Sequence, residues 1–120
     1  MKKLAAALAI AGALLTASCA GMITGGPLIR PGEPTGTIQV VNGSRNTVTV
    51  VLISACSAST YGLNRLPSGV SIPPGRYYNF TVSAGCWDVD AGYGTGTGYA
   101  EARQRMQVRA GGGVRYTVTN

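Results

Sequence analysis

Histidine is absent from this 120-residue chain, and lysine occurs only at Lys2 and Lys3. Without imidazole there is no histidine general base, no Ser-His-Asp triad and no metal site built on ring nitrogens. Carboxylates are few: Glu33, Asp88, Asp90 and Glu101. Extended helical periodicity is missing, as is any long internal repeat, which turns the reading away from bundles and solenoids. The apolar run Leu4 to Leu15 holds twelve residues, whereas a bilayer-spanning helix takes about 17 to 25.

What is present begins with an export signal. Lys2 and Lys3, the apolar run, and then Thr16, Ala17 and Ser18 follow the charged, apolar and small-residue order of a secretory leader over residues 1–18. At its end, LTASC (Leu15 to Cys19) resembles the lipobox of bacterial lipoproteins, with Thr16 where Leu is usual. That resemblance implies cleavage before Cys19, a diacylglycerol on the Cys19 sulfur and a free or acylated amine. Because Ala20 is not Asp, it also implies a lipid-anchored protein of the bacterial outer membrane, facing the periplasm or the cell surface. The alternative is an ordinary signal-peptidase cut after Ala20, with Ser18, Cys19 and Ala20 as the small-x-small site.

Three cysteines are an odd number for an exported chain, and a leftover thiol would be reactive in an oxidising compartment. Lipidation takes Cys19 out of the count and leaves Cys56 and Cys86 as one disulfide pair. Removing residues 1–18 leaves 102 of the 120, enough for one domain. Eight arginines against four carboxylates then give a net charge of +4, which draws an exported domain toward anionic surfaces such as lipid phosphates or acidic polymers.

Residues 19–35 are dense in Pro and Gly and are expected to form a tether after the lipidated cysteine. Residues 36–120 alternate apolar and polar positions between turns. TIQVV and TVTVVLIS flank a turn at Gly43 to Arg45, which predicts a hairpin with Val40 facing Val48 and Ile38 facing Val50. RYYNFTV, with Tyr78, Phe80 and Val82 on one face, is answered by CWDVDA, with Trp87, Val89 and Ala91 inward and Asp88 and Asp90 outward. A last hairpin around Gly111 to Gly113 sets Val108 opposite Tyr116, Met106 opposite Val118 and Arg109 opposite Arg115. The expected fold is all-β: a small antiparallel sandwich, immunoglobulin-like or related, of six to seven strands with one disulfide.

YGLNRL (Tyr61 to Leu66), IPPG (Ile72 to Gly75), Phe80 and CWD (Cys86 to Asp88) resemble the pattern of small exported bacterial β proteins of uncharacterised function, with Tyr61 where Trp is usual. The resemblance covers about thirty residues; it supports the fold and implies no activity.

The glycine-rich GYGTGTG run fails the G-x-G-x-x-G spacing, holding Thr97 or Tyr99 at the last required position, and no helical pattern follows it. DVDAGYGTGTGY starts like a calcium loop but carries Tyr93 at its sixth and Tyr99 at its twelfth position. Neither cofactor nor metal is expected, and no motif points to nucleic acid. Two functional surfaces remain. Arg103, Arg105, Arg109 and Arg115 would form one outward face whose guanidinium forks suit phosphate, sulfate or carboxylate. Tyr93 and Tyr99 would flank a loop able to stack on a sugar or a partner. The sequence therefore reads as a non-enzymatic, membrane-tethered envelope protein that binds an envelope protein or anionic polymer. The alternative is an inhibitor or protective lipoprotein directed at an extracytoplasmic hydrolase, acting through Tyr93 to Tyr99 or Ser57 to Leu66.

Overall fold

A computed structural model describes residues 26–58, 63–93 and 103–119. Cys19, Tyr99 and the leader lie outside them. Six strands are present among the described residues: β1 (Thr35–Asn42), β2 (Val50–Ala55), β3 (Tyr77–Ser83), β4 (Gly85–Gly92), β5 (Gln104–Val108) and β6 (Gly113–Val118). They form two three-stranded sheets, ordered β3-β1-β6 and β2-β4-β5. All pairs are antiparallel except β1 with β6, which is parallel. The molecule is an all-β sandwich of immunoglobulin-like type with one disulfide, Cys56–Cys86.

Alternation explains the core. Ile38 and Val40, Phe80 and Val82, and Tyr116 and Val118 come from one sheet. Val51 and Ile53, Trp87, Val89 and Ala91, and Met106 and Val108 come from the other, and all of them are buried in a single cluster. Removing this apolar area from water is the main favourable term in folding. The buried indole of Trp87 donates from Nε1 to the Ser83 carbonyl at 2.8 Å, so its polar edge is satisfied.

Neither of the two expected hairpins forms, and RYYNFTV does not pair with CWDVDA: β1 and β2, β3 and β4, and β5 and β6 each lie in different sheets, whereas the consecutive strands β4 and β5 do pair. The step from β1 to β2 is organised by Asn42, which is fully buried. Its carboxamide donates to the Asn46 and Ile72 carbonyls at 2.7 and 2.8 Å and accepts from the Ser44 backbone and hydroxyl at 2.9 and 2.6 Å. Val48 then bridges Ile72 rather than Val40. Alternation slips by one position between Val48 and Val51, so Val51 and Ile53 face the core and Val50 does not. From β3 to β4 the chain changes sheet through Ala84 and Gly85, the latter at φ +145°.

From β5 to β6 it crosses on the turn Arg109–Gly112, closed by a Gly112 N–H to Arg109 carbonyl bond of 3.0 Å, with Gly111 at φ +71°. That turn is stitched to β1. Gly111 N–H donates to the Thr35 carbonyl at 2.8 Å, and Thr37 N–H donates to the Gly112 carbonyl at 3.0 Å. The approach requires Gly36, where a Cβ would lie 2.5 to 2.9 Å from Val108 Cγ1 and the carbonyls of Arg109 and Gly112.

Two further features position the surfaces. The open edge of β2 is covered by side chains. Asn64 accepts from Val51 N–H at 2.9 Å and donates to the Thr49 carbonyl at 3.0 Å, while Arg65 Nε reaches the Ile53 carbonyl at 3.1 Å. This occupies backbone groups that would otherwise template pairing with another chain. The latter part of the expected tether, Gly26 to Pro34, is held on the sandwich. Arg65 Nη2 donates to the Gly26 carbonyl at 2.6 Å, and the Ser83 and Ala84 N–H groups bond the Leu28 and Pro34 carbonyls at 2.7 and 2.8 Å. The Arg30 guanidinium lies 5.6 Å from the Trp87 ring centroid, a cation–π distance.

Candidate functional site

The expected arginine face is divided by the crossing of β5 and β6. Arg105 stands on β5 in one sheet and Arg115 on β6 in the other, so Arg109 and Arg115 are not cross-strand partners. Arg109 belongs to the turn. Arg105 lies opposite Asp88 in the β4–β5 register and grips it with a two-pronged bond, Nε to Oδ1 at 3.0 Å and Nη2 to Oδ2 at 3.1 Å. The exposed Arg103 adds positive charge nearby. The hydrogen bond from Arg105 and the positive charges hold the Asp88 carboxyl below its ordinary range, against an opposing contribution from burial.

Asp88 and Asp90 do lie off the core face, as alternation requires, but they are not solvated. They retain 7 and 4% exposure. On the same face, β2 presents Ser54 beside Asp88 and Leu52 beside Asp90, both buried. Its ion pair with Arg105 makes Asp88 part of what holds β4 to β5. Tyr93 is partly buried and packs against the core, and its expected loop partner Tyr99 lies outside the described residues. No cluster of three metal-ligating side chains occurs among the described residues.

The remaining arginine, Arg115, stands in a different setting. The solvent side of the β3-β1-β6 sheet carries three cross-strand rows: Thr81, Thr37 and Gly113; Asn79, Gln39 and Arg115; Tyr77, Val41 and Thr117. Arg115 Nε donates to Gln39 Oε1 at 3.0 Å, which ties the middle row together. Gly113 contributes no side chain, and a Cβ there would sit 3.7 Å from that of Thr37. The result is an open depression of roughly 330 Å³ lined by Thr37, Gln39, Asn79, Gly113, Val114 and Arg115. Tyr77, 60% exposed, follows Asn79 on the same side of β3.

Of this face, sequence reasoning singled out Arg115 alone. Gln39, Asn79, Tyr77 and Gly113 were missed. Their alternation marks them as outward-facing, yet only the strand order shows that β3 and β6 flank β1 and bring them into adjacent rows.

No protein-family model matches the chain, and no curated protein matches it in sequence. Among solved structures it is similar to GBS52, the minor pilin of the gram-positive pathogen Streptococcus agalactiae. The identity is 13% and the TM-score 0.52, over 73% of this chain and 44% of the pilin's. The chain thus spans less than half of that protein's length, and a likeness at this identity concerns the fold.

Proposed function

We propose that this chain is a lipid-anchored protein of the bacterial cell envelope, non-enzymatic, whose sandwich binds another envelope component. The observation that carries the reading is the short leash. Arg65 fixes the Gly26 carbonyl to the body, so six residues, Ala20 to Gly25, lie between the lipobox cysteine and the folded domain. Such a leash reaches at most about 25 Å, which keeps a bound partner close to the membrane. The chemistry agrees with a binding role: histidine is absent, Cys56 and Cys86 are joined, and Asp88 is ion-paired. The likeness in fold to GBS52 is a further, weaker support, since that neighbour is by its name a minor pilin.

Intact-mass spectrometry and membrane fractionation test the anchor. The mature chain should begin at Cys19 with a diacylglyceryl thioether, and Cys19→Ser should release it from the membrane fraction. A Cys19→Ser chain that stays with the membranes at the wild-type level would overturn the proposal.

A further inference from the structure

We infer that the outer face of the β3-β1-β6 sheet is a binding site for a carboxylate-bearing glycan, with Asn79, Gln39 and Arg115 as its reading row and Tyr77 as its stacking ring. This deepens the envelope-binding reading and rests on it for biological role, although the recognition chemistry does not depend on the lipid. The three side chains stand on adjacent strands, hence about 4.8 Å apart. Each ends in a planar group with several hydrogen-bonding atoms, suited to a line of hydroxyls.

The orientation of the row is set internally. Because Gln39 Oε1 accepts from Arg115 Nε, the Gln39 amide nitrogen remains as a donor and the guanidinium plane is fixed. The terminal nitrogens of Arg115 have no protein hydrogen bond among the described residues. They form the fork that takes a carboxylate in two-pronged fashion. Among the described residues the face holds no acidic side chain: Glu33 pairs with Arg30, and Asp88 and Asp90 belong to the other sheet. One cation among uncharged donors and acceptors selects a ligand that is anionic at intervals and hydroxylated throughout. A phosphate polymer would engage Arg115 and leave Asn79 and Tyr77 without a role. Tyr77 flanks Val41 and supplies the flat apolar surface on which a sugar ring lies. The missing side chain at Gly113 gives the ligand room to settle between Thr37 and Arg115.

The test is calorimetric titration of the purified full chain, and of its Cys19→Ser form, with alginate oligosaccharides, neutral dextran oligosaccharides and inorganic polyphosphate. Alginate should bind about tenfold or more tightly than dextran, the scale of one charge-assisted hydrogen bond. Arg115→Gln should erase that preference, and Asn79→Ala and Tyr77→Ala should each weaken alginate binding while the melting temperature stays unchanged. Equal binding of alginate and dextran, or no binding of alginate, overturns the site. Polyphosphate binding as tightly as alginate, with Asn79→Ala silent, also overturns it. Alginate binding by a wild-type chain that intact-mass spectrometry shows without lipid leaves the site standing and removes the anchor, so the two proposals fail separately.

Discussion

Gly36 shows how one absent methyl group directs the chain. It sits inward on β1 opposite Val82, under the turn that carries the chain from β5 to β6. Two of the three atoms nearest a hypothetical Cβ are backbone carbonyls that bond β1 and close the turn; neither can rotate away as a side chain would. Gly36→Ala is therefore expected to destabilise the domain by about 1 to 3 kcal/mol, the range for overpacking a well-filled interior. A urea midpoint equal to wild type would contradict this. At neighbouring positions on the same strand, Gln39 was legible as outward and Ile38 and Val40 as core, because side-chain parity alone decides them. Asn42 was not legible. A buried asparagine that satisfies four hydrogen bonds looks, in sequence, like any turn residue.

At the scale of elements, alternation states which residues share a face and says nothing about which strand lies alongside. Val108 and Tyr116 are both core residues, as their spacing implied, yet they sit in facing sheets and not in one hairpin. The same pattern serves a hairpin or a crossing, and what decides between them is non-local: Asn42 holding Ile72, Gly36 admitting the turn. The arginine cluster was misread for this reason, while the polar row on β3, β1 and β6 could not be assembled without the order of strands. One cross-strand pair has a measurable pH signature. Asp88 has a lower pKa folded than unfolded, chiefly through its hydrogen bond from Arg105, so the stability it contributes is fully present above the unfolded carboxyl range near pH ~4. It is lost as pH falls through the lower folded value. Between pH 6 and roughly pH 3, wild type should lose more stability than Asp88→Asn, measured by denaturant titration at each pH. Parallel curves for the two proteins would show that the pair contributes nothing.

For the molecule as a whole, the Cys56–Cys86 bridge joins the end of β2 to β4 within one sheet, across a separation of 30 residues. Closing a loop of that size stabilises a folded domain by about 3 to 4 kcal/mol through the unfolded chain. That is a large part of what a body this small possesses. Reduction, or Cys56→Ala with Cys86→Ala, should lower the denaturation free energy by that amount while the far-ultraviolet spectrum of the surviving native state is kept. A loss under about 1 kcal/mol would mean that the reduced chain retains the same closure. The central place of β1 between β3 and β6 bears on timing as well. Among the described strands, the earliest must wait for the latest before its sheet can close. The strands of the β2-β4-β5 sheet all precede β6, so the two halves of the sandwich become completable in a fixed order, with the β3-β1-β6 half second.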